Sequence, residues 1–247
     1  MDTSRIIVRS LAQDYGAGYD THRHDHPWGQ IVFAEAGLIQ LTAGRDEYVI
    51  PPVMAAHVPT GMEHALKMVT ATRVRTLYLR RDLGPDPNAI RVLAVKPFLR
   101  ELIRAITAIG MLREDEPEEL AYARVLVREL RIAEELPLGL RMPADPRAAR
   151  AAVVASNSDA TLEDIARDAG ASARTLQRLF LEETGLAFTH WRQQRRLLDA
   201  ALVLADGGSV GAAAEAARYD SQSAFVAAFR RQFGATPGRW AEARRAS

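Results

Sequence analysis

One stretch of this chain recurs at a nearly fixed offset, and that recurrence restricts the possible folds more than any other feature. Thr161-Leu-Glu-Asp164-Ile165-Ala166, continued by Ala169-Gly170, Ser172, Leu176 and Phe180, returns as Ser209-Val210, Ala213-Ala214, Ala217, Ser221, Phe225 and Phe229. The offset is 48 residues from Thr161 to Ser209 and 49 from Ser172 to Ser221, so the second copy carries one extra turn residue. Gly185 and Gly234 keep the offset of 49, each where a helix would stop. From Arg147 onward the sequence is Ala-rich with apolar residues at helical spacing, so each copy predicts two short helices. One is opened by a hydroxyl at Thr161 or Ser209, the other by Ser172 or Ser221. Thr161 and Asp164 have the spacing of a capping box. Small side chains at Ala166 and Ala214 let the second helix cross closely over the first.

A hairpin of this kind is the helix-turn-helix, whose second helix enters a DNA major groove. One copy is weak evidence, because many helical hairpins put Ala and Gly at these offsets. Two copies joined by a long helix, Phe188 to Leu204, are far stronger. Its apolar positions Trp191, Leu197, Leu198, Ala201, Leu202 and Ala205 can hold both units rigidly. Recognition helices about 34 Å apart would meet successive major-groove turns on one DNA face.

The span from about Val153 to Arg245 resembles the DNA-binding domain of AraC/XylS transcription regulators. The resemblance rests on Ser172-Ala-Arg-Thr-Leu176-Gln-Arg-Leu-Phe180, Glu183-Thr-Gly185 and Tyr219-Asp-Ser221-Gln-Ser223-Ala-Phe225-Val-Ala-Ala-Phe229-Arg-Arg-Gln-Phe233-Gly234-Ala-Thr236-Pro237, with Trp240 following. It implies double-stranded DNA as partner, a homodimer and RNA polymerase as a further contact. Carried over residue by residue, Arg174, Thr175, Gln177 and Arg178 face the groove from the first unit, and Gln222 and Ser223 from the second. Arg suits guanine O6/N7 and Gln suits adenine N6/N7. Arg192, Arg195, Arg196, Arg230 and Arg231 are phosphate candidates, the alternative being a solvated face. Arg218 departs from the family pattern where a turn Gly is common, and Ala227 where a cation often sits. Gly211 and Ala213 weaken the first helix of the second unit, which is expected to anchor phosphates more than to read bases.

The first 85 residues read differently. Short apolar runs such as Ile31-Val-Phe33, Leu38-Ile-Gln-Leu41, Tyr48-Val-Ile50 and Val74 to Leu79 alternate with turn residues, which predicts a small β-sandwich or barrel. Five of the six His lie here: His22, His24, His26, His57 and His64. On a strand His22, His24 and His26 would share one face. The spacing Gly18, His24-x-His26, Gln30, Gly37 and then Pro59-x-Gly61-x-x-His64 resembles the cupin pattern, a double-stranded β-helix barrel. That resemblance implies a divalent transition metal, zinc, nickel, iron or manganese, on His24, His26, Gln30 and His64. Gln30 replaces the usual Glu and Met68 a frequent Asn, which leaves metal-free lining residues around an organic effector as the alternative. His57 and His22 read as structural or peripheral, and His190 as a surface residue.

Between these regions, helical spacing over Asn88 to Gly110 and Pro117 to Leu136 predicts two amphipathic helices, which form either a dimer seam or a cap on the barrel. Pro137 to Pro146 is a natural boundary. The expected fold is thus mixed: a cupin-like effector or metal-binding barrel over 1–85, a helical linker and dimerisation segment over 86–140, and an all-α DNA-binding domain with two helix-turn-helix units over 147–247.

Composition narrows function without deciding it. With no Cys, disulfides, thiolate nucleophiles and Cys-based metal sites are excluded. The opening MDTSRIIVRSLAQDYG has no apolar run of a leader, and no segment approaches the roughly 18 apolar residues of a membrane span, so a cytoplasmic location is expected. The net charge is only +1, and all cations but Lys67 and Lys96 are Arg. The reading that results is a regulator, not an enzyme, that senses a metal or small molecule. The alternative is a metal-dependent cupin oxygenase or isomerase fused to a helical domain; Glu35, Glu47 and Glu63 are the nearby carboxylates, and none is spaced as an obvious acid or base.

Overall fold

A computed structural model describes residues 5–245 apart from 53, 86, 87, 137 and 206. Pro137, the first residue of the expected boundary, lies outside the described residues. The chain divides into a sheet-rich unit (1–43, 49–137 and 242–247) and a helical unit (44–48 and 138–241).

In the sheet-rich unit the strands are β1 (Ile6–Tyr15), β2 (Gly29–Ala36), β3 (Ile39–Ala43), the second half of β4 (Asp46–Ile50), β5 (Met54–Val58), β6 (Ala65–Met68), β7 (Thr72–Leu79), β8 (Arg91–Ala94), β9 (Met111–Arg113) and β10 (Glu135–Leu136). A seven-stranded antiparallel sheet has the order β10-β8-β5-β2-β7-β1-β9. Strand β3 pairs with β6, Ile39 opposite Met68. Helices α1 (Pro97–Ile109) and α2 (Pro117–Ile132) each begin with Pro, whose missing N–H costs nothing in the first turn.

One apolar stripe of each packs on the sheet. Leu99, Leu102, Ile103 and Ile106 of α1 and Ala123, Leu126 and Leu130 of α2 form one buried cluster with Val8, Ile31, Phe33, Leu77 and Leu93. The buried residues pack on the sheet, while Phe98, Ile109, Tyr122, Val125 and Ile132 of the same two helices stay exposed. The segment expected as a separate linker is therefore continuous with the sheet, and β8 corrects the expected start of the first helix. Val92 and Leu93 are buried in a strand, and the helix begins only at Pro97. Glu35, buried to 7% exposure, takes the Arg75 guanidinium at 2.7 Å and also pairs with Arg104 of α1. A carboxylate expected to be ordinary thus ties a helix to two strands.

The helical unit contains α3 (Pro146–Asn157), α4 (Leu162–Asp168), α5 (Ala173–Thr184), α6 (Phe188–Ala205), α7 (Val210–Ala216), α8 (Gln222–Phe233) and the first part of α9 (Pro237–Arg245). It also holds β11 (Gly139–Arg141), paired with the first half of β4. Phe180 meets Phe188 and Trp191 edge-on at ring separations of 5.0 and 5.1 Å, and Phe229 sits among Phe225, Phe233 and Trp240. Each helix pair therefore has its own aromatic core. Among the described residues no helix is long and apolar enough to cross a membrane.

Candidate nucleic-acid interface and metal centre

The repeat folds as two matched helix pairs. Helices α4 and α7 both have 7 residues and α5 and α8 both have 12. All four start on a hydroxyl that accepts an early backbone N–H: Thr161 from Asp164, Ser172 from Thr175, Ser209 from Ala212 and Ser221 from Ala224. Helices α5 and α8 end on Gly185 (φ +74°) and Gly234 (φ +71°), left-handed positions that glycine occupies without a Cβ clash. Gly211 does not prevent α7 from reaching the length of α4. Ala166 and Ala214 are buried where the helices cross.

On α5, Arg174, Gln177 and Arg178 are exposed while Leu176, Leu179 and Phe180 are buried, so the polar residues share the outward face. Arg178 reaches one turn on to Glu182 at 2.5 Å. Thr175 is half-buried and its hydroxyl lies 2.9 Å from that of Ser172, which makes it part of the cap. Gln222 and Ser223 stand exposed at the start of α8, with Arg230 and Arg231 at its far end, roughly 12 Å along the axis.

The α6 arginines are half-buried and have partners within the helical unit. Arg192 donates to the Ala160 carbonyl at 3.0 Å, and its guanidinium lies over the Phe188 ring. Arg196, its side chain 13% exposed, donates to the Ser158 carbonyl at 2.6 Å and pairs with Asp159. Arg195 is held between Glu47 at 2.8 Å and Asp199 at 2.9 Å. The connection from α3 to α4 exposes backbone carbonyls next to α6, and these guanidiniums satisfy them. Asp159 also pairs with Arg218 at 2.8 Å, so one carboxylate links α6 to the turn between α7 and α8. Sequence periodicity gave no signal for this carboxylate.

In the sheet-rich unit, His24, His26 and His64 converge, with one ring nitrogen of each within 4.8 Å of the others. The segment before β2 is not the expected strand. His22 has φ +55° and is exposed, which breaks the alternation and leaves it outside the group. His24 is positioned by an isolated bridge to His64. His57 is buried on β5 next to Gly84, and His190 is exposed on α6.

Each imidazole is oriented by a backbone carbonyl. Nδ1 of His24 faces the His22 carbonyl at 3.1 Å, Nδ1 of His64 the Met62 carbonyl at 2.8 Å, and Nδ1 of His26 the Trp28 carbonyl. A carbonyl only accepts, so Nδ1 carries the proton and Nε2 of each neutral ring keeps its lone pair. Nε2 of His26 and His64 lies 3.0 and 2.9 Å from Gln30 Oε1, itself an acceptor. Burial, then the neighbouring His24 and His26, lowers the His64 pKa to about 4, so near neutrality His64 has no second ring proton to give Gln30 Oε1. With Gln30 Oε1 turned toward the rings, acceptors face one another, an arrangement that a cation resolves. Bonds of about 2.1 Å at tetrahedral angles put ligand nitrogens roughly 3.4 Å apart, so the three rings, within 4.8 Å of one another, would draw in around an ion. The residues present fit a divalent metal held by three imidazoles and an amide oxygen, and no Asp or Glu joins the group among the described residues.

Residues 165–243 match the family model described as a helix-turn-helix domain. The chain is 30% identical over 220 residues to the HTH-type transcriptional regulator NimR of Escherichia coli K12, an alignment covering 88% of this chain and 81% of that protein. It is 41% identical over 99 residues to the HTH-type transcriptional regulator RipA of Corynebacterium glutamicum, covering 40% of this chain and 30% of that protein. Among solved structures, ToxT from Vibrio cholerae aligns over 96% of this chain and 98% of its own at 11% identity, with a TM-score of 0.40. The likeness to NimR runs through both units, and with the paired helix-turn-helix geometry it establishes that the chain belongs to the AraC family of transcriptional regulators.

Proposed function

We propose that this chain is a sequence-specific regulator, not an enzyme, that reads double-stranded DNA through α5 and α8 as a homodimer. Its sheet-rich unit serves as a cupin-like sensor, and RNA polymerase is a further partner at the promoter. The observation that carries this reading is the twofold recurrence of a capped helix pair, with Arg174 and Gln177 exposed at the start of one second helix and Gln222 and Ser223 at the start of the other. Thr175 contributes by fixing the first turn of α5, and Arg178, Arg230 and Arg231 supply phosphate contacts. In this reading Arg192 and Arg196 support the interface from inside the fold.

The sensed species is a divalent transition metal, zinc, nickel, iron or manganese, held by His24, His26, Gln30 and His64. When bound, such an ion supplies a positive centre with open positions for an organic effector. Gln30 suits a reversible site. Its side-chain oxygen accepts an ion, while the opposite amide orientation presents NH2 to His26 and His64 and the oxygen to the Tyr78 hydroxyl, satisfying the same groups without metal. Occupancy regulates only if it favours one of two conformations of the regulator.

The test is metal analysis of the purified full-length protein, followed by operator binding with zinc and with chelator. A stoichiometric metal whose removal changes operator affinity supports the reading. Operator affinity and thermal stability that are both indifferent to zinc and chelator would remove the metal from it, and substrate turnover by the metal-loaded protein would move the chain to the enzyme reading.

A further inference from the structure

Arg9 occupies a place on the sheet that its neighbours do not explain. Tyr78 lies directly opposite Arg9 across β1 and β7, and directly opposite Gln30 across β7 and β2. Directly opposed residues in an antiparallel sheet point to the same face, so Arg9, Tyr78 and Gln30 form one row beside the histidine group. Two strand spacings separate the ends of that row, roughly 10 Å. The Tyr78 ring meets the His26 ring at 5.3 Å, which places the row and the cluster in one neighbourhood.

The Arg9 guanidinium lies over the Trp28 ring, Cζ 4.8 Å from its centre, and the buried Nε has no hydrogen-bond partner. No carboxylate oxygen lies within 4.0 Å of Arg9 among the described residues. Three arginines on or beside this sheet are matched, Arg75 with Glu35 and Asp14, Arg80 with Asp82 and Glu114, and Arg91 with Glu135, whereas Arg73 of β7, like Arg9, has no carboxylate partner among the described residues. The buried Nε–H is the unsatisfied group, and an acceptor oxygen on a ligand would satisfy it.

The surroundings describe the rest of that ligand. Strand alternation puts Leu11 and Tyr15 on the same face as Arg9. Leu11 is 44% exposed, so the face is open there, and Tyr15 stacks on Tyr19 at 4.5 Å. Trp28 and Leu11, two residues along the strand, offer apolar and aromatic surface next to one cation, whereas Tyr15 lies roughly 20 Å from Arg9 along β1. We propose that Arg9 anchors a ligand subsite adjoining the histidine cluster, and that its occupant is a small carboxylic acid with an apolar or aromatic body. The guanidinium would take the carboxylate through paired N–H donors, while Leu11 and Trp28 hold the body. This rests on the reading of the sheet-rich unit as a sensor and names the chemistry it would sense.

The test uses the full chain with benzoate as probe and benzamide, its neutral isostere, as control, affinities being measured by ligand-observed NMR. Both zinc-loaded and chelator-treated protein are titrated. The parent should bind benzoate at least about tenfold more tightly than benzamide, the scale of a hydrogen-bonded charge. Arg9→Gln should erase that preference while leaving benzamide binding in place. Leu11→Asp, at an exposed position that does not bear on folding, should weaken benzoate more than benzamide. Equal binding of the two probes by the parent, or a preference that survives Arg9→Gln, overturns the subsite. A preference that follows Arg9 in protein that binds no zinc leaves the subsite standing and removes the metal alone; zinc binding without a carboxylate preference does the reverse.

Discussion

Arg218 offers a sharp test of the repeat because it occupies, in the second copy, the turn position that Gly170 occupies in the first. Both backbones are left-handed, φ +58° at Arg218 and +72° at Gly170. An L-residue pays roughly 1–2 kcal/mol for that conformation. Arg218 also pairs with Asp159 at 2.8 Å, an exposed bridge contributing about 0.2–1 kcal/mol. Arg218→Ala removes the bridge and keeps the strain; Arg218→Gly removes both, offset by about 0.4–1 kcal/mol for the greater freedom of glycine in the unfolded chain. The glycine variant should therefore be more stable than the alanine variant by roughly 1 kcal/mol. Gly170→Ala should lose a similar amount, since its added Cβ meets only Arg150 Nη2 at 3.8 Å and packing is not the cost. Urea titration followed by tryptophan emission, in a Trp28→Phe background that leaves Trp191 and Trp240 as reporters, should separate the midpoints by roughly 0.5–1 M. If Arg218→Gly is no more stable than Arg218→Ala, the turn is not left-handed and the equivalence of the two copies at this point is wrong.

Arg174→Ala and Gln177→Ala should each cost about 1–3 kcal/mol of discrimination between the operator and single-base variants, read by fluorescence anisotropy; parental specificity in both would mean that α5 is not a reading helix. Gln30→Glu should bind zinc roughly tenfold or more tightly in a chelator competition, because a full negative charge replaces an amide at the site; unchanged or weaker zinc binding would contradict the ligand role given to Gln30. The buried neutral His64 should make the chelator-treated protein sensitive to acid. Its folded pKa of about 4 lies below the usual 6.5, so the unfolded chain binds the extra proton between those values. Stability from this group is complete above about pH 6.5 and falls, by at most about 1.4 kcal/mol per pH unit, as pH drops toward 4. His64→Gln should flatten that slope in equilibrium denaturation, and an equally steep slope in the variant assigns the acid sensitivity elsewhere.

What was legible in the sequence was what local rules decide. A hydroxyl at an N-cap and a glycine in a left-handed C-cap act within one turn, so Thr161, Ser172, Ser209, Ser221, Gly185 and Gly234 could be read one by one. The spacing of His24, His26, Gln30 and His64 likewise brought together side chains that converge. Long-range pairing was not legible. Helical spacing around Leu99 could not show that Val92 and Leu93 would pair with β5 and β10 as a strand. Alternation of three His could not show the positive φ at His22 that removes it from the group. Nor could an apolar period show that Glu35 is buried between Arg75 and Arg104, since both partners are distant in sequence.

The same distinction governs how the protein should respond to salt. Seven arginines lie on or beside the two recognition helices, yet Arg192, Arg195 and Arg196 are committed to Ala160, to Glu47 and Asp199, and to Ser158 and Asp159. Arg174, Arg178, Arg230 and Arg231 remain exposed. Each phosphate neutralised contributes about 0.9 to the slope of log affinity against log salt, so with Arg174 assigned to bases the other three support a slope of about −3 per chain. Arg230→Gln should reduce the slope by about 1 with little change in stability. Arg196→Gln should leave the slope unaltered and lower the melting temperature, because the Ser158 carbonyl and Asp159 lose a buried partner. A loss of about one unit of slope in Arg196→Gln, with stability retained, would show that this guanidinium leaves its internal partners to bind phosphate and that the inward assignment of α6 fails.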